Sequence, residues 1–241
     1  MTASVSRSPI ASVAAKTCDT SVISEIHALP TTGARSASHR VFDAFARAAL
    51  VWIDRPGIGY LPVTQAPYDA AYFAKYQGYA ATPLGHALNA ARLAFVARHY
   101  DGPLVDVGIG CGQFVESRRR TCGFDINPAG VAWLEDHALF LDPSVQRVNA
   151  ASFWDSLEHI ADPAAILDNV ESFVFVSLPI FRDLAHVKGS RHYRPSEHAW
   201  YFRAEGFIAF MAALGFECVE ENDEETRLGR EDIGSFAFRR C

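Results

Sequence analysis

What this 241-residue sequence lacks closes off several classes of protein. It contains no run of about 18 apolar residues, so no membrane-spanning helix is expected. Positive charge is not in surplus: 22 Lys and Arg stand against 28 Asp and Glu, a formal charge of -6. That balance removes the global attraction to a phosphate backbone on which nucleic-acid binding usually draws, although a local basic patch stays open. Its five cysteines (Cys18, Cys111, Cys122, Cys218, Cys241) are odd in number, widely spaced and without a C-x-x-C pair. Neither a disulfide framework nor a zinc site is indicated; no metal is expected, and reduced thiols suit a cytoplasmic chain. Internal repeats and low-complexity tracts are absent as well.

What remains is the composition of an ordinary globular protein, with 49% hydrophobic, 21% charged and 12% aromatic residues. The length suits one α/β domain preceded by an extension. Residues 1–40 are rich in Ser, Thr and Ala, with Asp19 and Glu25 as their only acids. They imitate a transit peptide, but without a clear apolar centre they read as a poorly ordered tail. Residues 41–100 read as a helical and aromatic cap: a helix over Val41 to Ile53, an irregular connector over Arg55 to Pro67, an aromatic stretch over Tyr68 to Tyr79, and a helix over Pro83 to Tyr100 with Pro near its first turn.

From 101 to 241 strand and helix patterns alternate. Strands are expected at Leu104 to Val107, Cys122 to Ile126, Ala151 to Trp154 and Phe173 to Leu178, with a stunted one at Leu139 to Leu141. Helices are expected over Gly112 to Arg119, Ala129 to His137, Pro163 to Val170 and Trp200 to Leu214, the last closed by Gly215. This order predicts a Rossmann-like, doubly wound, mostly parallel sheet. The two late strands, Phe216 to Glu220 and Ile233 to Arg239, have only a polar loop between them, which predicts an antiparallel pair at the C-terminal edge.

The chemistry is concentrated in LVDVGIGCGQF, residues 104 to 114, where a strand runs into Asp106-x-Gly108-x-Gly110-x-Gly112 and then a helical pattern. Glycines let the backbone turn sharply there and approach a ligand whose charged group faces the next helix. Asp125 closes the following strand, placed to take both hydroxyls of a ribose. The pair points to an adenosyl ligand. A nicotinamide site prefers G-x-G-x-x-G, whereas Gln113 stands where that third glycine would be. S-adenosylmethionine (SAM) fits the observed spacing and brings an ammonium that gives Asp106 a partner.

With VDVGIGCGQF (105–114), GFDINP (123–128), SFWDSLEHIADP (152–163) and VFVSLPIF (174–181), the chain from Leu104 to Arg239 resembles the class I SAM-dependent methyltransferases, and more narrowly a group of small enzymes with a D-x-L-E-H signature. The resemblance implies that Asp106, Gly108, Gly110 and Gly112 hold the methionine part of SAM, that Asp125 takes the ribose, that Ile126 flanks the adenine, and that Trp154 and Asp155 lie beside the sulfonium. The adenine-edge contact falls at Leu141 or Asp142. No Asp-Pro-Pro-Tyr or Asn-Pro-Pro-Tyr follows the fourth strand, so the amino-methylating DNA enzymes are not matched.

On the acceptor side, Asp155 and His159 share a face if a helical turn starts at the strand exit, and His159, with an ordinary pKa near 6.5, suits a general base; bracing the turn is its alternative role. His192 belongs to a second cluster, residues 186 to 198, whose cations suit an anionic acceptor unless it is a solvated loop with Ser196 capping the next helix. The phenols from Tyr68 to Tyr79 form either a lid or core. Arg118 to Arg120 read as a solvated turn. The expected activity is methyl transfer from SAM to oxygen or nitrogen of a small or medium-sized acceptor. A nucleotide or nucleic-acid acceptor, and a non-catalytic SAM- or NAD-binding module, are the alternatives.

Overall fold

A computed structural model describes residues 50–63 and 68–241. The tail expected over 1–40, and the helix expected to start at Val41 as far as residue 49, lie outside the described residues.

The main sheet contains β3 (Leu104–Val107), β4 (Thr121–Phe124), β5 (Val148–Trp154), β6 (Val170–Pro179), β8 (Phe216–Asn222) and β9 (Ile233–Arg240). Its order is β4-β3-β5-β6-β9-β8; the first four strands are parallel, and β9 runs antiparallel to both β6 and β8. This is the mostly parallel Rossmann-like sheet with its antiparallel C-terminal edge. Side chains alternate across it with period two. Val105, Val107, Phe153, Val174, Val176, Phe236 and Phe238 enter one core, while Leu104, Ala150, Phe175 and Ala237 enter another on the opposite face.

Helices cover both faces. Here α1 is Ala70–Ala80, α2 Pro83–Ala97, α3 Gln113–Ser117, α4 Pro128–Asp136, α5 Ala164–Leu167, α6 Leu184–Gly189, α7 Ala204–Ala213 and α8 Glu224–Arg227. Phe207, Phe210 and Met211 of α7 belong to the first core, and Phe95 and Val96 of α2 to the second. Local chemistry starts the helices near the site. Asp69 caps α1, Thr82 with Pro83 opens α2, and Asn127 with Pro128 opens α4, each capping side chain accepting a main-chain N–H.

A second sheet, β1 (Val51–Ile53), β2 (Ile58–Tyr60) and β7 (Trp200–Phe202), is antiparallel in that order and corrects three expectations. The helix expected to reach Ile53 is a strand at its C-terminal end, the connector contains a strand, and the helix expected from Trp200 begins only at Ala204. The aromatic run Trp200-Tyr201-Phe202 is buried throughout and prefers a strand. Its partner β2 lies about 140 residues earlier, with Tyr60 opposite Trp200. Ser196 therefore caps no helix; Arg203 precedes α7. A bridge between Ile180 and Phe202 fastens this small sheet beyond the end of β6. The stunted third strand shrinks to one bridge, Phe140 with Gly123. No helix among the described residues is long and apolar enough to cross a membrane.

Candidate active site

The carboxyl ends of β3, β4, β5 and β6 open onto two adjoining cavities, the place where ligands bind in open α/β sheets. Asp106, at the end of β3, is 1% exposed, and its carboxylate accepts a hydrogen bond from Ser152 Oγ at 2.6 Å. Burial pushes its carboxyl up to about 7. The three glycines of the turn all have positive φ: 79° at Gly108, 61° at Gly110 and 85° at Gly112. A Cβ on Gly108 would stand 2.6 Å from Cβ of Ser156, and one on Gly112 2.5 Å from the Trp133 ring. Those two glycines answer to the protein's own packing. At Gly110 a Cβ would meet only the Tyr76 ring, at 3.5 Å.

Asp125 stands just beyond β4, where Oδ1 accepts the main-chain N–H of Asn127 at 2.8 Å. It lines a cavity of about 540 Å³ together with Phe124, Ile126, Tyr68, Tyr72 and Tyr76. Ile126 is 57% exposed, an apolar side chain on the wall of a cavity. Asp142 does not reach either cavity, and neither does Leu141. Asp142 Oδ1 instead accepts from the Ser144 N–H and hydroxyl, and Leu141 packs against the core. With the third strand reduced to one bridge, the chain turns away before it can offer an edge to the cavity.

The second cavity, of about 290 Å³, shares Tyr76, Gly108, Gly110, Trp154, Asp155 and His159 with the first. Its far wall includes Glu158, Pro179, His192, Arg194, His198 and Arg230. Trp154 is buried, its indole Nε1 unpartnered among the described residues, edge-on to Phe114 and under the Arg92 guanidinium. Asp155 has φ 55°, so the 3₁₀ turn Leu157–His159 begins after it and no helical turn spans Asp155 and His159. Its two oxygens accept from Arg230 Nη1 and Nη2 at 2.6 and 2.8 Å. Burial alone would push Asp155 up, but the Arg230 guanidinium, with Arg92 behind it, holds the carboxyl at about 2. A carboxylate held so firmly is a poor proton acceptor.

The histidines differ in their surroundings. His159 Nδ1 lies 3.2 Å from the Tyr68 hydroxyl, its ring packs edge-on against His198 at 4.6 Å, and burial lowers its pKa. His192 donates Nε2–H to the Glu231 carbonyl at 2.8 Å, which makes Nδ1 its accepting nitrogen; burial keeps it neutral as well. Of the basic residues between 186 and 198, His192, Arg194 and His198 reach this cavity. His186 pairs with Asp232, Arg191 with Glu231 and Arg194 with Glu197, so every arginine of that cluster has an acid beside it. Tyr68, Tyr72 and Tyr76 roof the glycine turn, with the Tyr72 and Tyr76 hydroxyls 3.2 Å apart, whereas Phe73 of the same helix turns into the core. Arg118 is not simply solvated: it donates to the carbonyls of Tyr100 and Gly102 and to Thr121 Oγ1.

Of three residues that the sequence did not single out, Arg92 and Arg230 complete the wall and Glu225 stands behind them. Arg92 of α2 donates to both oxygens of Glu225, and Arg230 bridges Glu225 to Asp155. Nothing in the local pattern marks them, since a charged residue on a helix or in a polar loop usually faces water.

A sequence profile described as a methyltransferase domain matches residues 76–221. No curated protein sequence matches the chain. Among solved structures, the chain resembles a SAM-dependent methyltransferase from Thermotoga maritima, described as a possible histamine N-methyltransferase, with 12% identity, 71% of this chain and 97% of that one covered, and a TM-score of 0.53. It also resembles magnesium protoporphyrin IX methyltransferase from Synechocystis with bound S-adenosylhomocysteine (13% identity, 65% and 83% covered, TM-score 0.47) and the [4+2]-cyclase SpnF (17% identity, 74% and 98% covered, TM-score 0.49). At such identities the likeness is one of fold alone.

Proposed function

The chain belongs to the methyltransferase-domain family, and on that premise we propose that it uses SAM to methylate an oxygen or nitrogen of a small or medium-sized acceptor held in the 290 Å³ cavity. The observation carrying this reading is the junction of the two cavities. The glycine turn, Trp154 and His159 border both, so a cofactor bound on one side would present its reactive end to the other.

The residues present fit SAM. Asp106 is a buried carboxyl with Ser152 as its hydrogen-bond partner, and an ammonium would compensate its desolvation. Asp125 offers a carboxylate to a ribose diol, and the exposed face of Ile126 offers apolar contact to an adenine. SAM supplies a methyl group on a positively charged sulfur that leaves as a neutral thioether. The chain's own task is alignment and dryness: Tyr68, Tyr72 and Tyr76 cover the turn, and Trp154 forms the shared wall. His192, oriented by the Glu231 carbonyl, takes the acceptor's proton on Nδ1. The charges of Arg92, Arg230 and Arg194 are balanced by Glu225, Asp155 and Glu197, so Lys75 on the same cavity is left to meet an anionic group of the acceptor.

The test is a methyl-transfer screen with labelled SAM against a cell extract fractionated by size and charge. Label in a low-mass, preferably anionic, fraction is expected. Label confined to nucleic acid or protein would overturn the acceptor assignment.

A further inference from the structure

The strongest unexplained feature of the chamber is a group of buried polar atoms with nothing to bind. Among the described residues, Glu158 is 2% exposed with no hydrogen-bond partner for either carboxylate oxygen, and His198 is 3% exposed with none for its Nδ1. Leaving such groups dry and unpaired costs several kcal/mol in the ordinary case, so native proteins rarely keep them without a use. They are not scattered. One ligand atom each from Glu158, His159 and His198 lies within 4.8 Å of the others. We propose that these three side chains bind one divalent transition-metal ion on the wall of the acceptor chamber.

The backbone builds this cluster deliberately from two distant segments. The Ala199 N–H donates to the Glu158 carbonyl at 2.8 Å, and Trp200 Nε1 donates to the Ile160 carbonyl at 2.9 Å. These bonds fasten the turn that carries Glu158 and His159 to the strand entry that carries His198. The Tyr68 hydroxyl lies 3.2 Å from His159 Nδ1, the kind of outside support that orients a ligating imidazole. Asp155 is adjacent but committed to Arg230, which leaves Glu158 as the carboxylate of the set.

Two imidazoles and one carboxylate, without thiolate, suit Zn²⁺, Mn²⁺, Fe²⁺ or Co²⁺ better than Mg²⁺ or Ca²⁺, which prefer oxygen throughout. Three protein ligands leave coordination positions open, and all three residues line the 290 Å³ cavity. The ion would therefore hold an oxygen or nitrogen donor of the acceptor beside His192. Its role toward the acceptor rests on the function proposed above, but its binding does not.

The experiment is equilibrium dialysis of the full chain, stripped with a chelator, against Zn²⁺, Mn²⁺ and Mg²⁺, with Co²⁺ absorption as a reporter of ligand type. One transition-metal ion per chain is expected, with a Co²⁺ spectrum of nitrogen and oxygen ligation and no thiolate charge-transfer band. Glu158→Gln and His198→Gln should each weaken binding by more than about 100-fold, since even outer partners of metal ligands contribute 10- to 100-fold. His186→Gln, away from the chamber and paired with Asp232, should leave it unchanged. A wild-type chain that takes up no ion, a thiolate spectrum, or equal binding by folded Glu158→Gln and His198→Gln would overturn the site. SAM binding is measured on the same samples: an intact metal site in a chain that fails to bind SAM would defeat the proposed function while upholding this one.

Discussion

Asp106 shows how burial turns an ordinary residue into a sensor of its ligand. Free aspartate titrates near 3.9, but in the fold burial raises this carboxyl to about 7, against the pull of Ser152 and Arg92. Between about pH 4 and pH 7 the folded chain keeps a proton that the unfolded chain has released, so this group makes the ligand-free fold less stable as pH rises through that window. The same proton opposes an ammonium. SAM affinity measured by calorimetry should therefore rise with pH up to about 7, by up to about tenfold per unit, and Asp106→Asn should flatten that slope. Asp125→Ala should weaken SAM binding strongly at every pH, and affinity within twofold of wild type would remove it from the site. His192→Gln should spare SAM binding and slow turnover by about 100-fold, the usual scale of general-base catalysis; unchanged turnover would discharge it.

Among the elements, those built from local signals were legible, whereas the small second sheet, built from distant pairing, was not. The strand, glycine turn and helix from Leu104 to Ser117 lie within a few residues of one another, and both the positive φ angles and the Asn127 cap follow from residue type. β7 depends on β2, far away in sequence, and its apolar run is equally compatible with a buried helix until the partner is known. The glycine turn also carries a prediction of its own. Gly108→Ala places a Cβ at φ 79° and 2.6 Å from Ser156, so urea unfolding should show a loss of about 3 kcal/mol. A loss below about 0.5 kcal/mol, the ordinary size of a surface substitution, would mean the turn relaxes freely.

At the scale of the whole molecule, the residues expected at the cofactor sit on consecutive strands and, apart from Gly112 and Asp142, line the two cavities together with His159 and His192, whereas the ion-pair network behind them was not legible. Arg92, Asp155 and the nearby pair Glu225 and Arg230 come from three separate parts of the chain and meet only once the sheet has formed. The same holds for Glu158 and His198. Asp155, held at about 2, stabilises the fold fully above its unfolded pKa and loses that contribution as pH falls from about 4 toward 2. Arg230→Ala would leave two acids without their bridge; because the Arg230 side chain is 17% exposed, the loss should be about 2 kcal/mol, below the usual figure for a fully buried pair. Thermal melts at pH 7 read it directly.

The most direct measurement of the account is a crystal structure of the chain with S-adenosylhomocysteine. It should show both ribose hydroxyls on Asp125, the amino group against Asp106, and the thioether sulfur at the Trp154 wall facing the 290 Å³ cavity. A ligand lodged elsewhere, or one whose sulfur points away from that cavity, would contradict it.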